Sequence, residues 1–421
     1  MEIVRLHTSD YPTSSLYEEK LDEITFLEAL RIIHNNRSAW SDAYSDGFSR
    51  LGIQAIDLIV NDKKLQLKWA KENGVSINTE YWQIEVVIAQ LRFIKPDVVI
   101  FQNFEILPDE IIKELKTWVK SIKVLAIQIG YPRDDKDLSF YDLIFPTLNY
   151  IRDKCIHFKK PMHICKPAFD TRILSEIQNP IKKEYPISFL GSSGVGYECG
   201  HAKRYWMLYE IFQKVKINVH LDEDRSHSHL KNNKKSYTEN PKRKEVISDK
   251  NFGAIINILN QEDTFDHQTL LSDFLCDRTL REALFAKLEP LVPLKFMFHN
   301  TILPPVYGIE YYELISKSFT ILNIHTDAIG HRVGNMRMFE TTGVGSCLLV
   351  ENGSNLNEFF EKGTEVVAYE NLDDCLEKIN YLSNNLNAAL EIGKSGQKKT
   401  LKEHTVANRC ELILGVLNEY L

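Results

Sequence analysis

The sequence lacks the cysteine pattern of a secreted, disulfide-bonded protein. Its seven cysteines are scattered through 421 residues, are odd in number and include no C-x-x-C pair. This usage is typical of reduced thiols in a cytosolic protein.

Long hydrophobic runs are also missing. No apolar run approaches the ~18 residues that a membrane-spanning helix needs. The first ten residues, MEIVRLHTSD, contain only a short apolar run before polar residues, which predicts a first strand and not a signal peptide. We therefore expect a cytoplasmic protein.

Neither sign of charge dominates. Lysine and arginine total 51, aspartate and glutamate total 58, and the net charge is −7, so no overall nucleic-acid footprint is present. The composition, 43% hydrophobic and 26% charged residues, is typical of a soluble globular protein.

The chain has 421 residues. Since a domain contains about 150 residues, we expect two or three domains. No internal repeat or low-complexity region is visible.

Strand-like apolar runs alternate with helical patterns in the N-terminal half. Such alternation favours βαβ units and a largely parallel sheet, the α/β class. The predicted strands are 3–6, 55–60, 98–101, 122–128, 141–145 and 162–165, and the predicted helices include 81–93 and 108–120.

Polar residues follow several of these strands. In open α/β sheets ligands bind at the carboxyl ends of strands, which directs attention to Asp10, Glu105 and Asp135. A partly desolvated carboxylate can act as a general base on a substrate hydroxyl. The sequence does not choose among the three, and an ordinary polar loop is an alternative for each.

A glycine-rich turn opens the second half of the chain. Residues 180–186 resemble an interdomain linker, a strand is predicted at 187–190, and a helix begins near residue 200. Between them lies GSSGVG, starting at Gly191 and Ser192, where backbone N–H groups can approach phosphate closely. Asp222, after a predicted strand at 217–221, suggests a dinucleotide-binding alternative, but the spacing is not G-x-G-x-x-G, which disfavours a hydride-transfer enzyme.

An acidic triplet and a basic segment follow. Asp222, Glu223 and Asp224 could chelate a metal, but a solvated loop is the favoured interpretation. The segment from Lys231 to Lys244 carries six cations among Asn, Ser and Pro and predicts an exposed insertion. Contact with an anionic membrane surface, or with an acidic acceptor carrier, is the alternative. Beyond this segment, the sequence predicts a helix at 270–288 and a strand at 293–298.

The stretch 319–350 has the most specific pattern. Two strands, 319–324 and 347–350, enclose a polar loop and a short helix whose predicted N-cap is Asn335. Arg337 in the first helical turn gains nothing from the helix dipole, which suggests a bound anion there. Glu340 could accept from a pair of ligand hydroxyls. The alternative is an ordinary α/β segment with Arg337 and Glu340 paired at i, i+3.

The residues from 335 to 379 resemble the C-terminal signature of bacterial CgeB-like glycosyltransferases, related to spore-maturation proteins, which have the GT-B fold. The matching positions are Asn335, Arg337, Phe339, Glu340, Gly343, Gly345, Phe360, Gly363, Glu365, Val366, Val367 and Tyr369. Segments such as IKPDVVIFQNFEILPDEIIKEL and YDLIFPTLNYIRDK are also similar to this family, and the resemblance is weak before residue 81.

The resemblance implies two Rossmann-like domains facing across a cleft. Residues 1–182 would bind the acceptor, and residues 183–400 would bind the nucleotide-sugar and carry a basic insertion near 222–250. Residues 401–421 form a predicted helix that would pack back toward the N-terminal domain. Its predicted apolar stripe consists of Val406, Cys410, Ile413, Val416, Leu417 and Leu421.

The resemblance also implies residue roles. Glu340 would bind the ribose hydroxyls, and the other nucleotide-sugar contacts would come from Gly191, Ser192, Lys203, Arg204, His331, Asn335 and Arg337. The catalytic candidates are His325, Asp327 and Arg332 in the loop facing the sugar, with Asp10 and Glu105 on the acceptor side; a structural role for His325 is an alternative. Retaining GT-B enzymes often have a second glutamate where this chain has Arg332, so the stereochemical outcome stays open.

We therefore predict a glycosyltransferase that moves a sugar from a nucleotide-sugar to a surface glycan, glycolipid or protein. Arg332 and Arg337 would stabilise the departing nucleoside diphosphate in place of a metal, so no metal or cofactor is expected. A nucleotide-sugar epimerase or hydrolase of the same fold, and a non-catalytic glycan- or nucleotide-binding subunit, are the alternatives.

Overall fold

The computed structural model describes residues 1–9, 14–38, 41–77, 80–131, 136–177, 182–193, 202–222, 294–325 and 329–421. The chain forms two compact units. The N-terminal unit comprises Met1–Pro180, Tyr307–Glu313 and Lys398–Leu421, and the C-terminal unit comprises Ile181–Val306 and Leu314–Gln397. The sequence-based division placed its first boundary between residues 182 and 183.

The N-terminal unit contains a sheet of five parallel strands. They are β1 (Glu2–His7), β2 (Gln54–Ile59), β3 (Val98–Phe101), β4 (Val124–Ile129) and β5 (Leu143–Pro146). Their order is β2-β1-β3-β4-β5, so the direction of strand addition reverses between β1 and β3. Because all pairs are parallel, the carboxyl ends of the strands meet at one edge of the sheet.

Helices cover this sheet. The α-helices of the N-terminal unit are Phe26–Asn35, Ala43–Arg50, Lys63–Glu72, Trp82–Ile94, Asp109–Trp118, Asn149–Cys155, Ile173–Glu176 and Val406–Leu417. The first begins at a capping box, in which the Thr25 side chain accepts from the Glu28 N–H and the Glu28 carboxylate accepts from the Thr25 N–H.

The five predicted strands that form this sheet are confirmed with shifts of a residue or two at their ends. The predicted strand at 162–165 is wrong. Met162 forms only an isolated bridge to Ile144, and Pro161 and Pro167 on either side have no N–H to donate to a ladder.

The helix Val406–Leu417 packs into the core of the N-terminal unit. Val406, Cys410 and Ile413 lie against residues of the helix Ala43–Arg50 such as Ala43 and Phe48. Arg409 on this helix donates from Nε to the Lys166 carbonyl at 2.8 Å. Of the predicted apolar stripe, only Leu421 is exposed, because the helix ends at Leu417.

The C-terminal unit contains a second sheet of six parallel strands. They are β6 (Tyr185–Ser192), β7 (Asn218–Asp222), β8 (Ile302–Leu303), β9 (Ser318–Asn323), β10 (Cys347–Glu351) and β11 (Val367–Tyr369). The order is β11-β10-β9-β6-β7-β8, and it reverses between β6 and β9. This is the strand order of the dinucleotide-binding fold, in which ligands bind at the reversal point.

The described helices that lie wholly or partly in the C-terminal unit are Ala202–Lys214, Leu294–Met297, Gly308–Lys317, Met336–Gly343, Leu372–Asn384 and Leu386–Glu403. The predicted strand at 293–298 is wrong, since Leu294–Met297 is one helical turn. A short apolar run has no reliable period, which explains the error. The predicted helix at 270–288 and the basic insertion lie outside the described residues.

Among the residues that the structure describes, no helix is both long enough and apolar enough to cross a membrane.

Two helical glycines provide a matched test of the packing. A Cβ at Gly393 would lie 2.6 Å from the Gly345 oxygen and 3.0 Å from the Cys347 nitrogen, whereas a Cβ at Gly415 would meet nothing within 4 Å. Alanine is favoured over glycine in a helix by about 1 kcal/mol, and overpacking against backbone costs about 1–3 kcal/mol. We expect Gly393→Ala to lower the melting temperature and Gly415→Ala to raise it. Equal shifts by differential scanning fluorimetry would contradict this packing.

Candidate functional site

The first candidate site lies where the strand order of the C-terminal unit reverses. At the end of β6, Gly191 has φ +144°, and a Cβ there would lie 2.5 Å from Arg337 Nη2. Only a residue without a side chain therefore allows the guanidinium to approach this strand end so closely. The Arg337 guanidinium carbon also lies 5.7 Å from the centre of the Phe189 ring.

Arg204 joins the ends of β6 and β9. It lies on the helix Ala202–Lys214, is 7% exposed, and donates from Nε to the Ile324 carbonyl at 3.1 Å. Its Nη1 donates to Ser192 Oγ at 3.3 Å. Because Gly191 contacts one arginine and Ser192 the other, both guanidinium groups lie at the same strand end.

An amide pair fixes the start of the helix Met336–Gly343. Asn323 and Asn335 exchange two side-chain hydrogen bonds of 2.9 and 3.0 Å, and the Tyr369 hydroxyl donates to the Asn323 carbonyl at 3.1 Å. Asn335 is the N-cap residue, as predicted, but within the described chain its side chain makes no capping bond. The expected capping contact is therefore wrong, because the Asn335 amide is engaged by Asn323.

His325 holds the loop that precedes this helix. It is 3% exposed, and its Nε2 accepts from the Gly334 N–H at 3.2 Å. The Glu351 carboxylate accepts from the His325 N–H at 2.6 Å and lies 3.4 Å from His325 Nδ1. Burial, assisted by Arg204 and Arg337, lowers the pKa of His325 despite Glu351. This geometry favours the structural alternative for His325; its predicted catalytic role stays a prediction.

Glu340 lies one turn beyond Arg337. It is 8% exposed, and its neighbours Met338 and Phe339 are fully buried, so the helix is held rigidly by the core. A rigid carboxylate can accept from a hydroxyl pair, and guanidinium groups can bind a diphosphate in a bidentate manner. The site therefore has the chemistry to hold a nucleoside diphosphate.

The remaining loop residues occupy different environments. His331 is exposed, and its carbonyl accepts from the Ser354 N–H at 2.8 Å. Arg332 is half-buried and donates from Nη1 to the Ile329 carbonyl at 3.4 Å. Asp327 lies outside the described residues, as does the side chain of Lys203.

The carboxyl edge of the N-terminal sheet forms a second candidate site. At its reversal point, Asn103 after β3 donates from Nδ2 to Thr8 Oγ1 after β1 at 2.9 Å. Glu105 is exposed and lines a cavity of about 480 Å³. Asp10 and Asp135, the other two base candidates, lie outside the described residues.

A buried charged cluster lies beneath this edge. Arg5 in β1 pairs with Asp57 in β2 at 2.8 Å, with side chains 3% and 0% exposed, and the Arg5 guanidinium lies 4.3 Å from the Tyr44 ring centre. The rings of His7 and His34 stack at 6.4 Å. Burial lowers the pKa of both histidines, that of His7 to about 3.

Several of these residues were not identified from the sequence. Glu351 follows the apolar run of β10, so the strand-end rule used for Glu105 would have found it. The Arg5–Asp57 pair places charges within the apolar runs of β1 and β2, and a charge within an apolar run was the available signal. No group of three or more His, Cys, Asp or Glu side chains within the described ranges could hold a metal ion.

Comparison with known proteins finds one matching family model and structures of similar fold. Residues 281–415 match the family model described as "Glycosyl transferase-like", about a third of the chain. A glycosyltransferase from Rickettsia africae superposes with a TM-score of 0.54 at 9% identity, covering 100% of this chain and 98% of that one. Anabaena Alr3699/HepE, solved with UDP and glucose, gives a TM-score of 0.54 at 9% identity, with 100% of both chains covered. No curated protein matches the sequence.

The fold is thus that of GT-B glycosyltransferases, with two parallel-sheet α/β units, as predicted. Residues 281–415 match a glycosyltransferase-like domain, and this match supports the predicted enzyme class at the level of that domain.

The buried histidines predict sensitivity to acid. His7 has a pKa of about 3 in the folded protein and 6.5 when unfolded, so between these values only the unfolded chain binds the proton. Stability is therefore retained above pH 6.5 and lost as the pH falls, by about 2 kcal/mol between pH 7 and pH 5.

We expect His7→Gln to reduce the loss of melting temperature between pH 7 and pH 5. Nearby Arg5, Asp57 and His34 also influence this site, so the exposed His157→Gln serves as the control and should behave like wild type. An unchanged loss in His7→Gln would disprove the assignment.

Proposed function

We propose that this protein transfers a sugar from a uridine diphosphate sugar held at the reversal point of the C-terminal unit. The observation that carries the proposal is the convergence of Arg204 and Arg337 on the end of β6, with Glu340 one helical turn beyond Arg337. The arginines would bind the diphosphate, and Glu340 would bind the ribose hydroxyls. The choice of uridine is supported by the UDP bound in Anabaena HepE.

The two arginines also suggest how the leaving group is stabilised. Negative charge develops on the departing diphosphate in the transition state, and preorganised guanidinium groups in a low-dielectric site stabilise it without reorganisation. We propose that Arg204 and Arg337 perform this role and that the reaction needs no metal. Arg332, which is half-buried in the adjoining loop, would assist from the sugar side.

We also propose that the protein belongs to the CgeB-like group of glycosyltransferases. The signature that begins at Asn335 supports membership of the CgeB-like group, in which the N-terminal unit binds the acceptor. Orientation of both substrates would then supply much of the rate enhancement.

Donor binding is tested by thermal shift and calorimetry with UDP, GDP, CDP, ADP and TDP, each with and without EDTA. A ligand that binds only the folded state raises the melting temperature. We expect a shift with UDP that EDTA leaves unchanged. Loss of a charged hydrogen bond costs about 1.5–3 kcal/mol, so Arg337→Ala and Glu340→Gln should each weaken UDP binding about ten- to hundredfold.

Arg50→Ala and Glu377→Gln, at exposed positions, are the matched controls and should bind UDP like wild type. Binding of UDP that is lost with EDTA would overturn metal independence. The absence of binding to any nucleoside diphosphate would overturn the proposed donor site.

Gly191→Ala tests the close approach of Arg337 to β6. The added methyl group would displace the guanidinium, and we expect UDP affinity to fall about tenfold. Gly52→Ala is the control for backbone strain, since Gly52 has φ +76° but a Cβ there would meet nothing within 4 Å. Calorimetric titration with UDP should therefore separate the two variants; equal affinities would show that the Arg337 position is unimportant.

A further inference from the structure

Two cavities lie along the carboxyl edge of the N-terminal sheet. The inner cavity, of about 190 Å³, lies at the ends of β3, β4 and β5. The outer cavity, of about 480 Å³, lies between the start of the helix Trp82–Ile94 and the loop after β3. Phe104 lines both cavities, so they adjoin one another.

The inner cavity has a largely apolar surface that includes several polar, uncharged side chains. Its amide and aliphatic hydroxyl side chains are Gln102, Asn103, Gln128 and Thr147, and none of the described residues that line it is an acid, a lysine, an arginine or a histidine. Amides and hydroxyls both donate and accept, which suits ligand hydroxyl groups. A phosphate or an ammonium group would lack a counter-charge in this cavity.

Gln102, which lines the inner cavity, carries an unsatisfied polar atom. The side-chain oxygen Oε1 of Gln102 is buried and has no hydrogen-bond partner among the described residues. Burying an unsatisfied acceptor costs about 1–3 kcal/mol, so such atoms are rare without a function. If the Gln102 side chain turned this oxygen toward the cavity, the oxygen could accept from a ligand hydroxyl.

The outer cavity adds aromatic surface and carboxylates. Tyr81 is 55% exposed and Trp82 is half-buried, and both line it together with Glu80, Glu105 and Lys136. Aromatic faces suit the apolar C–H faces of a sugar ring, and carboxylates accept from its hydroxyl groups. A cavity of this volume is within the range of small-ligand sites, about 300–1,000 Å³.

We propose that this edge binds an uncharged oligosaccharide of at least two sugar units, one in each cavity. The proposal rests on the proposed function, since this oligosaccharide would be the acceptor of the transferred sugar. It selects a neutral glycan chain over a polyprenyl phosphate or a protein as the group that the N-terminal unit recognises.

The test begins with the fluorescently labelled full-length protein on an array of bacterial oligosaccharides and monosaccharides. We expect binding to uncharged glycans of two or more units and weaker binding to the corresponding monosaccharides. The best-bound glycan is then titrated by calorimetry. A silent array, or binding only to phosphorylated or sulfated glycans, overturns the proposal. An assay of sugar transfer in which polyprenyl phosphate is the only acceptor overturns it as well.

Three variants connect the binding to the cavities. Tyr81→Ala and Gln102→Leu should each weaken glycan binding about tenfold or more. Tyr381→Ala is the matched control, because Tyr381 is also 55% exposed but belongs to the C-terminal unit, and it should retain affinity within about twofold. Unchanged affinity in Tyr81→Ala and Gln102→Leu would overturn the proposal.

Two further readouts distinguish glycan binding from a structural role of the cavity residues. Gln102→Leu removes a buried oxygen that has no partner within the described chain, so its melting temperature should be unchanged or higher, whereas a structural role would lower it. UDP affinity should be unchanged in both cavity variants. If wild-type protein binds the glycan but no nucleotide, the donor proposal fails and the carbohydrate site stands.

Discussion

Parallel strand pairing is the constraint on which both units depend. Each described sheet contains only parallel strands, so every carboxyl end in a unit lies at the same edge and helices must cover the faces. This arrangement brings residues that are distant in sequence to one place, for instance Gly191 and Arg337. The position where the strand order reverses leaves a crevice between adjacent crossover helices, and both candidate sites lie at such a position.

Buried charge is the second feature common to both units. Arg5 and Asp57 are removed from water together, and although burial opposes the charged form of Asp57, Arg5 keeps the pKa of that carboxyl low. Lys183, at the opposite edge of the C-terminal sheet, donates to the Ser318 carbonyl and to Ser346 Oγ, and burial lowers its pKa to about 8. A buried ion pair such as Arg5–Asp57 adds little net stability, but removing one of its two residues leaves the other charge buried alone, which is costly.

The strands and the helix–strand signature could be predicted from the sequence because their signals are local. Apolar runs such as 98–101 and 347–350 are buried on both faces, and short runs of this composition are typical of parallel strands. The segments 162–165 and 293–298 were misassigned because proline geometry and tertiary packing decided them. Arg337 and Glu340 were identified by their position in a motif, whereas Asn323–Asn335 and Gly191–Arg337 are contacts between elements that no spacing rule encodes.

The division of the N-terminal unit along the chain affects how the protein is made. The core around Ala43 and Phe48 is completed by Val406, Cys410 and Leu417 from the helix Val406–Leu417. During synthesis, the first unit therefore leaves the ribosome with part of its apolar core exposed, and it waits while the whole C-terminal sheet is translated. At about 5–20 residues per second, that interval is many seconds, during which the nascent chain is exposed to aggregation and to chaperones.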